Sequence, residues 1–126
     1  MRVLITEARP SVTNALQLLL RHANWSVIGT AATPRQLLEK TKALRPDLIV
    51  LDWELDAKSP GARLVARLHG LDYRPLIVAL SIDPESKQSA LAAGADAFIS
   101  KSDLPEQVLH VLETLNAAGT NNWAYH

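Results

Sequence analysis

The stretch RPDLIVLDWEL, Arg45–Leu55, decides how the chain reads. Leu48 to Leu51 form an unbroken apolar run without polar alternation, the pattern of a strand buried on both faces of a parallel sheet. The run ends on a carboxylate, Asp52, followed by Trp53. In open parallel sheets, ligands bind outside the carboxyl ends of the strands. A strand that ends on an aspartate therefore points to a site as well as to a fold.

Similar apolar runs recur on either side: RVLIT from Arg2, SVIGTA from Ser26, LIVAL from Leu76 and AFIS from Ala97. Between and after them lie helical patterns. Val12, Ala15, Leu16, Leu19 and Ala23 share one face of the first. Leu37, Leu38, Thr41 and Leu44 do so in the second, Leu64, Val65 and Leu68 in the third, and Val108, Leu112 and Leu115 in the last. A fourth, from about Pro84 to Ala93, is small and polar. Thr33, Pro34 and Gln36 spell an N-cap, a first helical residue and a capping-box partner, and Asp83 with Pro84 repeats the cap-then-proline order. Gly94 and Gly119 stand where left-handed C-caps belong. Alternating strands and helices predict an open parallel sheet with helices on both sides.

Composition narrows the function. A chain of 126 residues fits one domain. Thirteen basic residues balance thirteen acidic ones, so no global field draws it to nucleic acid or an anionic membrane, and direct nucleic-acid binding is not expected. Without cysteine there is no disulfide framework, thiolate metal site or cysteine nucleophile. The apolar runs are too short to span a bilayer, and MRVLIT opens directly on a strand pattern, which leaves no room for a signal peptide. The economical expectation is a cytoplasmic protein. Residues 1–119 read as the domain and 120–126, where periodicity ends in GTNNWAYH, as a tail or the start of a linker.

The residues just past the strands carry the chemistry: Glu7 after the first, Asp52 after the third, Ser81 after the fourth and Lys101 after the fifth. Each alone has an ordinary reading, as a turn former, a solvated hydroxyl or a surface lysine. Together they predict two carboxylates, a hydroxyl and an ammonium converging on one sheet edge.

At this point the chain resembles the receiver domains of two-component response regulators, the CheY-like family. The resemblance runs from Arg2 to about Gly119. It rests on the acidic residue after strand one, on PDLIVLD, on ALS and on GADAFISKSDLPEQV, which is most similar to receivers of LuxR-type regulators. It implies a flavodoxin-like, three-layer αβα sandwich, (βα)5, with a five-stranded parallel sheet in the order 2-1-3-4-5. It implies Asp52 as phosphoacceptor, Ser81 as the hydroxyl that engages the phosphoryl oxygens, Lys101 as their counter-cation and Phe98 as an aromatic switch. An aromatic in the last strand also reads equally well as simple core. Mg2+ would be held by Glu7, Asp52 and the backbone carbonyl of Glu54. The implied partners are a histidine kinase or phosphotransfer protein, a downstream protein or an effector domain outside this chain, and a weakly associating second copy. Such a domain is a signalling module and not an enzyme, beyond assisting its own phosphoryl transfer and autodephosphorylation.

The sequence also departs from that pattern. Ala8 stands where the family carries a second acidic residue, the one that touches the metal, so weakened Mg2+ binding is expected. Glu54 and Asp56 read as solvated loop charges, and Arg9 as an exposed arginine at a helix start or a fixed positive charge near the site. Trp53 is expected to pack over the loop beside Asp52. Lys101 is followed by Ser102 in place of proline, so that peptide is trans or strained. His22, His69, His110 and His126 show no ligand spacing and read as helix surface or tail.

Three function classes follow. One is a phosphorylatable receiver that switches a surface made by helix four, strand five and helix five. The second is a pseudo-receiver that binds partners without Mg2+-dependent phosphorylation, which Ala8 and the unusual loop WELDAKSPGA after Asp52 favour. The third, a flavodoxin-fold nucleotide binder or enzyme, needs a glycine- or hydroxyl-rich phosphate loop after strand one, and TEARPSVT contains no glycine.

Overall fold

The computed structural model describes residues 1–7, 9–58 and 60–124, the last seven through their backbone alone. Five strands alternate with five helices: β1 (Arg2–Thr6), α1 (Pro10–His22), β2 (Ser26–Ala31), α2 (Pro34–Leu44), β3 (Leu48–Asp52), α3 (Gly61–His69), β4 (Leu76–Ser81), α4 (Ser86–Ala92), β5 (Ala97–Ser100) and α5 (Pro105–Ala124). The strands pair in parallel in the order β2-β1-β3-β4-β5, as the resemblance implies.

Strand parity divides the core into two layers. Val3, Ile5, Leu48 and Val50 point to the side covered by α1 and α5, where they meet Leu16, Leu20, Leu112 and Leu115. Leu4, Ile49 and Leu51 point the other way, against Leu37, Leu64, Leu68 and Ala90 from α2, α3 and α4. Every residue of β3 is buried, so the central strand is the fixed element from which the site is built. The apolar stripe of α1 differs from the expected one: Leu20 is fully buried, while Ala15 faces solvent.

The helix ends follow local chemistry. Thr33 caps α2 by accepting from the Gln36 N–H at 3.1 Å. The Gln36 side chain reaches back one residue further than a capping box requires, to the Ala32 N–H at 2.9 Å. Gly94 adopts φ of 110°, and the hydrogen bonds Gly94 N–H to Leu91 O and Ala95 N–H to Ala90 O close the end of α4. A Cβ there would meet the His69 ring as well as the backbone restriction.

Two further expectations fail. Asp83 and Pro84 do not start α4: the Asp83 carboxylate takes the Glu85 N–H at 2.9 Å and closes a turn, and the helix begins at Ser86. Gly119 is not a C-cap, because α5 runs through it to Ala124. Ala8 and His126 lie outside the described residues.

Candidate functional site

Sheet register assembles the site before any side chain is considered. Thr6 lies opposite Leu51, Asp52 opposite Leu80 and Ser81 opposite Ser100. Glu7, Asp52, Ser81 and Lys101 therefore emerge in neighbouring rows at one edge. Backbone bonds continue past the strands and hold these rows in place: Glu7 N–H to Ala31 O, Trp53 N–H to Leu80 O and Lys101 N–H to Ser81 O, at 3.2, 2.7 and 2.8 Å.

Asp52 is fixed by a residue that sequence reasoning missed. The Thr6 hydroxyl donates to Val50 O and accepts from the Asp52 N–H, both at 2.9 Å, so it stitches β1 to β3 where β3 ends. Nothing in a single threonine at a strand end announces this. The bond depends on the neighbouring strand.

Lys101 joins the two carboxylates. Its Nζ lies 2.8 Å from Glu7 Oε2 and 3.3 Å from Asp52 Oδ1, and the three side chains are 7%, 1% and 6% exposed respectively. Glu7 Oε2 is buried and lacks an aligned hydrogen-bond donor among the described residues, so its contact with Lys101 is an ion pair that leaves acceptor capacity unused. The other oxygen, Glu7 Oε1, accepts the Arg9 N–H at 3.1 Å. Arg9 itself is exposed at the start of α1, the plainer of its two readings.

Electrostatics follow from burial. Desolvation, and then the neighbouring Glu7, push the Asp52 carboxyl above its ordinary value of 3.8, against the Glu54 N–H and Lys101, which favour its ionised form. Burial works against the ammonium of Lys101 but is outweighed by Glu7 and Asp52, so its pKa rises above 10.5. Two buried anions thus face one buried cation. Such a site has room for another positive charge.

The remaining residues fall around this cluster. Ser81 is fully buried, and its oxygen accepts the Asp83 N–H at 3.1 Å within its own loop. Phe98 is partly buried against the α2–α4 side of the core. Trp53, expected over the loop beside Asp52, packs its ring against the start of α3, close enough that a Cβ on Gly61 would collide with it. Glu54 is exposed, as expected of a loop charge, and its Oε1 also accepts the Ile82 N–H at 2.8 Å, across to the loop after β4. Asp56 closes a turn on the Lys58 N–H. The Lys101–Ser102 peptide is trans. His69 also differs from its surface reading, since its Nε2 is buried without a partner among the described residues, and burial followed by Arg74 lowers its pKa.

The donor chemistry fits a hard cation at this edge. Glu7 and Asp52 offer carboxylate oxygens, and the unused capacity of Glu7 Oε2 is what a cation requires of a ligand. No cluster of three or more histidine, cysteine or acidic side chains suited to a metal occurs among the described residues, so backbone and water would complete the shell.

The chain matches the model of the response regulator receiver domain over residues 3–113, and it belongs to that family. It is 29% identical over 113 residues to the nitrate/nitrite response regulator protein NarL of Escherichia coli, covering 87% of this chain and 52% of that protein. It is 34% identical over 90 residues to a protein-glutamate methylesterase/protein-glutamine glutaminase of Geobacillus kaustophilus, covering 69% of this chain and 26% of that one. A two-component response regulator of the LuxR family from Aurantimonas superposes with a TM-score of 0.82 at 21% identity, over 93% of this chain and 85% of that structure. The chain thus spans about half or less of the curated relatives it matches. It is a receiver domain of the two-component type, with LuxR-type regulators among its relatives. No helix among the described residues is long and apolar enough to cross a membrane.

Proposed function

We propose that the chain accepts a phosphoryl group on Asp52 from a histidine kinase or phosphotransfer protein and uses it to alter the surface formed by α4, β5 and α5. The observation that carries this reading is the buried cluster of Glu7, Lys101 and Asp52 at the carboxyl edge of the sheet. The Glu54 N–H and Lys101 Nζ both approach Asp52 Oδ1, which leaves Oδ2 as the attacking oxygen. It displaces the imidazole of a phosphohistidine in line: an O–P bond forms, the P–N bond breaks and the leaving imidazole takes its proton from solvent. Transfer of this kind asks the protein mainly for positioning and for cations that neutralise charge on the moving group. Lys101 supplies one such cation. Glu7, Asp52 and the Glu54 carbonyl would hold Mg2+, which supplies the second.

Ser81 then leaves its bond with Asp83 to engage the phosphoryl oxygens, and Phe98, half-buried beside α4, repacks. Roughly −1.5 to −2 charge units added at Asp52 bias two packings of similar energy without refolding the domain. The output is a downstream protein, an effector domain carried elsewhere, or weak pairing with a second copy through the α4 face, where Leu91 is exposed. Residues 1–119 form the working unit, 120–126 a tail or the beginning of a linker, and the setting is cytoplasmic.

A pseudo-receiver is the second reading. It is favoured by Ala8 and by Lys101, which already neutralises carboxylates that the metal would share. Incubation with acetyl phosphate, with and without millimolar Mg2+, separates the two by intact-mass measurement. Mg2+-dependent addition of one phosphoryl group to the wild type and none to Asp52→Asn is expected. An unmodified wild type at saturating Mg2+ would establish the pseudo-receiver.

A further inference from the structure

Glu54 joins the acceptor to the switch loop at both of its ends. Its N–H donates to Asp52 Oδ1 at 3.1 Å, and its carboxylate Oε1 accepts the Ile82 N–H at 2.8 Å. Ile82 follows Ser81 directly and precedes Asp83, whose N–H holds the Ser81 hydroxyl at 3.1 Å. The loop between β4 and α4 is therefore fastened on two sides: Ser81 is turned toward Asp83, and the backbone beside it is tied to the loop after β3. Ile82 is 56% exposed, so apolar burial does little to hold this segment. Its position depends on hydrogen bonds.

We propose that the Glu54 side chain is a positioning residue that latches the β4–α4 loop in its resting state and is driven off when Asp52 gains a phosphoryl group. This rests on the phosphoacceptor reading above. A carboxylate is the strong partner for a lone backbone N–H. It is also the partner most sensitive to new negative charge nearby, and a phosphoryl group on Asp52 brings that charge next to the residue that carries the latch. Repulsion loosens Oε1 from Ile82. The freed segment can then move with Ser81. The backbone carbonyl of Glu54, the atom proposed for the metal, is unaffected by side-chain substitution, so the latch can be removed while the ligand set stays intact.

The test compares Glu54→Ala and Glu54→Gln with wild type. Both variants remove the charge, but glutamine keeps an acceptor oxygen at the same reach. Amide exchange at Ile82 in the free protein reads the latch directly: it is expected to accelerate roughly tenfold in the alanine variant and to stay close to wild type in the glutamine variant. Beryllofluoride, a stand-in for the phosphoryl group, is then titrated at saturating Mg2+. The alanine variant is expected to bind it about fivefold more tightly than the glutamine variant, because only alanine has lost the bond that must break. Equal affinities, or weaker binding by the alanine variant, would overturn the latch, as would unchanged Ile82 exchange in Glu54→Ala. A wild type that does not bind beryllofluoride at all defeats the phosphoacceptor reading instead, and the exchange measurement still decides whether the bond holds the loop.

Discussion

Lys101 ties the stability of the site to its charges. It is the cation between two buried carboxylates, and burying any of the three is costly unless the charges are paired. Lys101→Ala leaves Glu7 and Asp52 facing each other, so a loss of about 3 kcal/mol in urea unfolding is expected, with part restored by millimolar Mg2+. Asp52 predicts the opposite sign. Burial and Glu7 raise its pKa above 3.8, so the folded chain holds that proton more tightly than the unfolded one. The stabilisation from this group is present below 3.8 and is lost as pH rises through the folded value, which makes ionised Asp52 a net cost at neutral pH. Asp52→Asn is expected to melt at a higher temperature than wild type at pH 7 without Mg2+. The gap should narrow on acidification through the raised pKa of Asp52, as followed by circular dichroism. Residue identities at the site were legible because a carboxylate, a hydroxyl and an ammonium each close an apolar strand. The roles of Thr6 and Glu54 were not, since each acts through a backbone group on a distant strand or loop.

Among the elements, α4 is the least determined by its own sequence. Seven residues long, it buries only Ala90, and its limits come from turns at either end. Gly94 sets the later turn at φ of 110°, with the His69 ring behind it. Gly94→Ala is expected to cost about 1–3 kcal/mol in urea unfolding, through a left-handed backbone and a displaced ring. Gly70→Ala, at ordinary φ and with only backbone oxygens at van der Waals distance, should change stability by less than about 0.5 kcal/mol. The same contrast explains what the sequence could tell. Thr33-Pro34-Arg35-Gln36 acts within one turn, and its capping was readable. Asp83-Pro84 carries the same signal, but its carboxylate closes a turn and the helix waits until Ser86. His69 looked like surface because its covering neighbour, the Gly94 turn, lies far along the chain.

At the scale of the molecule, the alternation of strands and helices was readable from apolar runs and caps, whereas the strand order came from resemblance and the distances from register. The sheet brings four strand ends together, and only three of the expected groups meet: Glu7, Lys101 and Asp52 are in contact, while Ser81 remains bonded within its own loop. In the proposed phospho-switch, that separation is the resting arrangement. In the proposed function, a change at the buried cluster is communicated to the α4, β5 and α5 face. The most direct measurement is a backbone amide NMR titration of wild type and Asp52→Asn, adding Mg2+ and then beryllofluoride. Shifts that begin at Glu7, Asp52 and Ser81 and extend to Phe98 and α5 in the wild type alone are the predicted result. A wild-type spectrum unchanged at saturating Mg2+ and beryllofluoride, or changes confined to the immediate surroundings of Asp52, would contradict it.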